Sequence, residues 1–287
     1  MKPPDPTDPR GLLLMLLSVF LFAANTLLLR ALSLHLPEAD GWVALLYRGA
    51  IGLCLVAALY GFGRGLSWRS LVGSPLVAAR GAAGAFSTAA FYLTVAELGA
   101  SRAVVLNLTY PVFATAIAAL WLKERVRPSA LLWMLAGTAG LALFLGGTGR
   151  AVGRWDLLAL AGAVGSGIVV VLIRKLRATE HAGTIYGSLC FHCVLISLPL
   201  RGAATLDLPA AGHAALAAAA VIVGISQLVM TNAYRLLPVS RGSSIQMLLP
   251  IVTAAGAFLL FGERFAAVEM AGAVVTLVAT WRVAAAK

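Results

Sequence analysis

Charge is what this 287-residue sequence has least of. Charged residues make up 11% of the chain, against about 25% in a soluble domain. A chain this poor in charge cannot cover a water-facing surface, so lipid is the solvent for most of it. The few charges are mostly positive, 22 Lys and Arg against 11 Asp and Glu. That excess does not point to nucleic acid, because the cations stand in short clusters between apolar runs, where membrane topology puts them. Acidic residues are absent from the interiors of the apolar runs, which leaves no buried carboxylate to carry a proton. Catalytic sets are missing too. No Ser/His/Asp arrangement stands out among four histidines, and Gly146-Gly147-Thr148-Gly149 lacks the lysine of a phosphate-cradling loop. With only three cysteines, the sequence has one metal-like cluster, Cys190-Phe191-His192-Cys193. A closed zinc site wants four ligands, so Cys54, Cys190 and Cys193 read as free thiols packed among helices. No cofactor is implied.

What is present is apolar residue, 61% of the chain, with a mean hydropathy of +0.93. It falls into ten runs, at 11–31, 42–62, 72–96, 101–122, 129–147, 155–174, 183–200, 210–236, 239–262 and 266–284. About twenty apolar residues cross a bilayer as a helix. The expected fold is therefore an all-α integral membrane protein of ten transmembrane helices, with no soluble domain between them. Residues 1–10, MKPPDPTDPR, form a polar tail, and the first run reads as an uncleaved helix.

One stretch occurs twice. SRAVVLNLTYPVFATAIAALWLKER, 101–125, returns 139 residues later as SRGSSIQMLLPIVTAAGAFLLFGER, 240–264. Ser101 falls on Ser240, Arg102 on Arg241, Pro111 on Pro250, and Glu124-Arg125 on Glu263-Arg264. The unit is half the chain, which divides it into two five-helix repeats, 11–147 and 148–287. Five crossings is an odd number, so the second repeat enters the membrane from the opposite side. This 5+5 inverted arrangement is common among secondary transporters. Fourteen Lys and Arg fall on one side of that topology and six on the other, which places both termini in the cytoplasm. Trp42, Trp68 and Trp155 at run ends suit the headgroup layer, and Gly81, Gly84, Gly162, Gly165 and Gly167 suit close helix packing.

The doubled Pro-(x)12-Glu-Arg ends, the Ser-Arg starts and the ten runs resemble the EamA-type exporters of the drug/metabolite transporter superfamily over essentially the whole chain. That resemblance implies a central cavity lined mainly by the first, third, fourth, sixth, eighth and ninth helices. It also implies export of amino acids, other metabolites or drugs across a bacterial inner (cytoplasmic) membrane. The partners are then a small-molecule substrate and lipid, and a monomer suffices because one chain holds both halves.

Polar groups inside the runs are costly in hydrocarbon and mark the candidate site. They are Asn25, Arg80, Ser87, Tyr92, Asn107, Tyr110, Ser166, Gln227, Asn232 and Gln246. Arg80 can hold a carboxylate through two parallel hydrogen bonds, or else snorkel to the headgroups. Arg48, in the second helix, reads as peripheral. Asn107 and Gln246 each stand four residues before a proline, Pro111 or Pro250. The proline cannot donate to their carbonyls, so amide and free carbonyl sit at one level. They either contact substrate or bridge helices. The two prolines are candidate hinges. Tyr47, Phe86, Phe91 and Trp121 are further aromatics that can line a cavity. An arginine without an acid favours carboxylates or zwitterions over cations, which makes amino acids or related small carboxylated metabolites the expected substrates, and the aromatic side chains tilt this towards neutral or aromatic amino acids. The alternative is a multidrug exporter of lipophilic compounds.

Overall fold

In the computed structural model, the residues described are 8–36, 40–61, 65–98, 106–123, 127–144, 153–201, 208–261 and 266–285, and regular structure among them is helical. The helices are α1 (Pro9–His35), α2 (Gly41–Tyr60), a short α3 (Trp68–Gly73), α4 (Pro75–Leu98), α5 (Tyr110–Trp121) and α6 (Pro128–Phe144). They continue with α7 (Arg154–Leu176), α8 (Ala182–Arg201), α9 (Ala210–Leu236), α10 (Val239–Gln246), α11 (Leu249–Phe261) and α12 (Ala267–Ala285). Among the described residues, seven segments are long and apolar enough to cross a membrane, the α10–α11 pair counting as one; three shorter apolar helices are Tyr110–Trp121, Pro128–Leu143 and Met270–Arg282.

Side-chain caps set several ends. Asp8 Oδ1 accepts from the Arg10 and Gly11 N–H groups at the start of α1. Asp40 does the same for Trp42 and Val43 at the start of α2. Each thereby satisfies donors that a helix start leaves unpaired. α2 stops at Gly61, whose φ of +70° suits glycine. The run expected to begin at 72 is divided. Pro75 opens α4, a position where its missing N–H costs nothing, and α3 ends before it. The run that closes at Pro199 is helical throughout, because α8 carries that proline in its last turn.

Apolar side chains fill most of the interior and also cover the outside, and a few polar groups are buried among them. Leu13, Leu120, Leu132 and Leu259 are more than two-thirds exposed or close to it, whereas Asn25, Arg80, Gln227 and Gln246 are buried. That arrangement suits a lipid solvent and would be costly in water.

The most extensive pairings are α6 with α12, α1 with α9, α4 with α7 and α2 with α8. Next come α4 with α8, α5 with α7, α2 with α9, and α1 with the α10–α11 pair. Exchanging the helices of the N-terminal half for their C-terminal counterparts maps this set of pairings onto itself.

Glycines set the closest approaches. A side chain at Gly49 would meet the Cys190 carbonyl at 2.8 Å, and one at Gly52 would meet the Cys190 thiol and the Tyr186 hydroxyl, 2.9 Å away for the latter. Gly81 lies against His192 and the Ser188 carbonyl, Gly165 against Ser87, and Gly167 against the Ala114 backbone. The glycines singled out in the sequence are thus contact points between helices. Gly52→Val should lower the unfolding temperature in detergent, at a cost of about 1–3 kcal/mol for overpacking. Gly73→Ala, where nothing lies within 4 Å, should change it little.

Candidate functional site

Two polar clusters form inside the bundle. The first lies between α1, α2, α4, α8 and α9. Arg80 enters it from α4, a turn and a half past Pro75, and is completely buried, the largest such side chain among the described residues. It does not snorkel. All three guanidinium nitrogens are enclosed and have no hydrogen-bond partner. One nitrogen packs along Gly84, which leaves room for it by having no side chain. Leaving so many buried donors unmade is costly; such exceptions to the rule that buried polar groups are paired call for an explanation.

Arg48 enters the same cluster from α2. Its Nη2 donates to Gln227 Oε1 at 3.3 Å, while its buried Nε has no partner. Asn25, Arg48 and Tyr92 line one small cavity with Ala44, Leu216, Ala219, Ala220 and Val223. Its volume is about 10 Å³, on a measure in which one water needs roughly 10–15 Å³. The site is contracted, with no room for a substrate. Tyr186, Cys190 and Cys193 are buried on α8, where α2 passes Cys190 at Gly49 and Gly52 and α4 passes the neighbouring turn at Gly81 and Gly84.

Arg48 is therefore not peripheral, and α2 and α8 belong to the site alongside the helices expected there. The sequence held one signal for this. Arg48 and Arg80 are the two cations left over when all others are assigned to membrane surfaces. Tyr186 carried no comparable signal, since a tyrosine in an apolar run reads as packing.

The second cluster joins α1, α9 and α10. Gln246 Nε2 donates to Ser18 Oγ at 3.2 Å and to Met15 Sδ at 3.0 Å. Ser226 Oγ donates to the Ser18 carbonyl at 2.8 Å. Gln246 thus bridges helices. Ser226 lies 139 residues after Ser87, the spacing of the duplicated stretch. Ser87 donates to its own helix at Ala83 O, 2.7 Å away, and packs against Gly165 of α7. The two serines mark equivalent crossings, α4 on α7 and α9 on α1.

Both duplicated helices are interrupted at the same place. Turn residues Leu108 and Thr109 precede α5, and Met247 and Leu248 separate α10 from α11, again 139 apart. Pro111 and Pro250 are the second residues of α5 and α11. Neither proline lies mid-helix as the apolar runs suggested. Each opens a new helix after a turn closed by tight bonds, Met247 N–H to Ser244 O at 3.2 Å and Leu248 N–H to Ile245 O at 3.0 Å. Proline suits that position because its N–H is not required there.

The remaining candidates scatter. Asn107 is half-buried just ahead of the turn that precedes α5, and Tyr110 and Ser166 are half-buried on α5 and α7. Asn232 stands apart from the cavity. Its Oδ1 accepts from Arg177 Nη2 at 3.1 Å, beside Arg174, whose Nη1 donates to the Tyr234 and Arg235 carbonyls at the end of α9. Phe86 and Trp121 are nearly half exposed, and Trp121 lies under the Lys175 ammonium, so neither lines the cavity. Tyr47 meets His213 Nδ1. Glu124, Glu263, Ser101 and Arg102 lie outside the described residues. The acids whose side chains are described sit at helix ends. Asp8 and Asp40 cap helices, Asp40 also pairs with Arg201 at 3.0 Å, Asp156 accepts from the Gly153 N–H, and Glu180 lies past α7. Among the described residues no group of histidines, cysteines and acids could hold a metal ion.

Apolar span-length helices packed around buried polar side chains define a multi-pass membrane protein. The model of the EamA-like transporter family matches residues 9–146 and again 153–284. The chain belongs to that family and is a membrane transporter of the drug/metabolite type; the family's members move small molecules and are not enzymes. No curated protein matches the sequence. A solved structure titled only "Crystal structure of protein" is similar in fold, with a TM-score of 0.75 and 17% identity over 96% of each chain.

Proposed function

We propose that this protein is a secondary transporter of a bacterial inner membrane that exports amino acids, neutral or aromatic, or related small carboxylated metabolites. The observation that carries this reading is Arg80, a buried guanidinium whose donors have no partner among the described residues. A carboxylate is the planar acceptor that matches it bidentately. An amino acid also brings an ammonium group, for which the oxygens of Asn25, Gln227 and Tyr92 are the available acceptors. Leu216 and Val223 offer its side chain an apolar wall.

In this reading the seven span-length segments and three shorter helices make ten crossings in two inverted repeats, 11–147 and 148–287. The self-mapping pairings, the repeated break before each proline and the two family matches support that arrangement. The ends bearing Arg174, Arg177 and Arg235 then face the cytoplasm together with both termini. The contracted cavity is an occluded form, and the two halves rock about it in alternating access, bending at Pro111 and Pro250. A monomer holds the whole site. Asn107, Tyr110, Ser87, Ser166 and Gln246 act at the flanks of the path, while Asn232 tightens one end.

Purified protein in liposomes tests this with neutral, aromatic and acidic amino acids, a sugar phosphate and a lipophilic cation, each with and without a pH gradient. Saturable, stereoselective amino-acid flux is expected. Flux of the cation alone would overturn the reading in favour of a multidrug exporter.

A further inference from the structure

α7 and α9 end side by side, and three arginines meet there. Arg174 and Arg177 are three residues apart and share one face of the chain at the end of α7. Arg174 Nη1 donates to the Tyr234 and Arg235 carbonyls. Arg177 Nη2 donates to Asn232 Oδ1 at 3.1 Å, and its Nη1 to the Glu180 carbonyl at 2.7 Å. Arg177 stands just past α7, outside the membrane-spanning segment. Burial and the like charge of Arg235 lower its guanidinium from the ordinary range. Glu180 lends Arg177 only its backbone, and its carboxylate pairs with neither Arg177 nor Arg235 among the described residues. Arg235 is exposed. Asn232 has its oxygen committed to Arg177, which leaves its amide N–H groups as donors. The groups collected here suit an anion.

Their depth selects the source of that anion. Both helices are long and apolar enough to span, so their ends lie at the level of the headgroups. Lys175, in the same turn, lies 4.5 Å over the Trp121 ring, an indole of the kind that sits at that level. α9 also continues the site into the hydrocarbon. Ala218, Ile222, Ile225, Val229, Asn232 and Arg235 are each exposed or half-buried. They are spaced three or four apart, which is one face of a helix. That face is apolar until its last turns, where Asn232 and Arg235 stand. Ile225 to Arg235 spans about 15 Å at 1.5 Å per residue, about half of a hydrocarbon core roughly 30 Å thick. One acyl chain covers that length.

We infer that the ends of α7 and α9 bind an anionic phospholipid, its phosphate on Arg177, Asn232 and Arg235 and an acyl chain along the apolar face of α9. Basic pockets between transmembrane helices suit such headgroups. The inference rests on the placement of these helices in a membrane, not on what the protein transports.

The test counts lipid on the full chain. Delipidated protein in detergent is equilibrated with an equimolar mixture of phosphatidylglycerol and phosphatidylcholine bearing the same acyl chains. The lipid retained is read by mass spectrometry of the intact protein. The wild type is expected to prefer phosphatidylglycerol by about 25-fold, about fivefold for each of Arg177 and Arg235, the factor that corresponds to about 1 kcal/mol per arginine near a membrane surface. Arg235→Gln should lower the preference about fivefold. Arg282→Gln, which removes a cation from the last turn of α12, should leave it unchanged. An equal loss in Arg282→Gln would assign the preference to diffuse surface charge and overturn the site. Equal retention of the two lipids by the wild type would overturn it whatever the variants do. Inorganic phosphate in modest excess over lipid, at fixed ionic strength, is expected to leave the bound lipid in place, because it has no chain to lie on α9. Displacement by phosphate would make this a site for a free anion and overturn the lipid assignment. No transport is read, so failure of this site leaves the Arg80 reading untouched.

Discussion

Arg80→Met abolishes carboxylate transport and makes the protein more stable in the absence of substrate. The two effects have one cause. The guanidinium is enclosed with no partner, so the resting protein bears the cost of burying it and only a bound anion offsets that cost. Replacing a buried charge by an apolar side chain of similar volume is often stabilising, by about 1–4 kcal/mol. Losing one partner of a buried, hydrogen-bonded charge pair costs about 2–5 kcal/mol, which lowers flux by roughly 30-fold to several thousand-fold. Thermal unfolding in anion-free detergent and initial flux rates check the two halves. A destabilised variant that still transports would show that Arg80 is structural. Such an outcome would move the substrate contact to Arg48, Asn25 and Tyr92.

Pro250→Ala, and more strongly the double change with Pro111→Ala, slows turnover at least about tenfold while leaving substrate binding within about threefold, a split that a difference of about 1.4 kcal/mol in one step would produce. The interruption at Met247 and Leu248 ends α10 and lets α11 begin on Pro250. An alanine restores the missing N–H donor and removes the ring that opposes a continuous helix, a difference of about 3 kcal/mol in a helix interior. The two halves of the crossing then fuse into one rod. A broken helix can pivot during alternating access, and a fused one cannot. Binding measured by anion-dependent unfolding, set against turnover measured by flux, separates the effects. Unchanged turnover would remove the prolines from the mechanism.

Much of the fold is legible in the sequence for a simple physical reason. Lipid cannot satisfy backbone groups, so long apolar runs must be helices whatever they pack against. The runs at 210–236 and 183–200 correspond to α9 and α8 within a residue or two. The 139-residue repeat put Pro111 and Pro250 at equivalent positions, but not the interruptions before them, because each apolar run read as one continuous helix with a hinge. Misreadings arose where hydropathy is blind to direction. An apolar run records that a helix lies in lipid or protein, not which of its faces meets a neighbour. Arg48 therefore looked peripheral, and Asn232 was grouped with Gln227, five residues before it.

By itself, then, the sequence determined the solvent, the helical class, the duplication and the presence of a few polar groups that hydrocarbon would not tolerate. Only the tertiary structure decided which of those groups meet. It set Arg48 beside Arg80 by packing α2 on α8 and α4 on α8, gave Gln246 to Ser18 and Asn232 to Arg177, and left one guanidinium without a partner. Pairing between residues so far apart in the chain depends on crossing positions fixed by glycines such as Gly49, Gly52 and Gly81. Those contacts depend on shape, which hydropathy and spacing along one helix do not record.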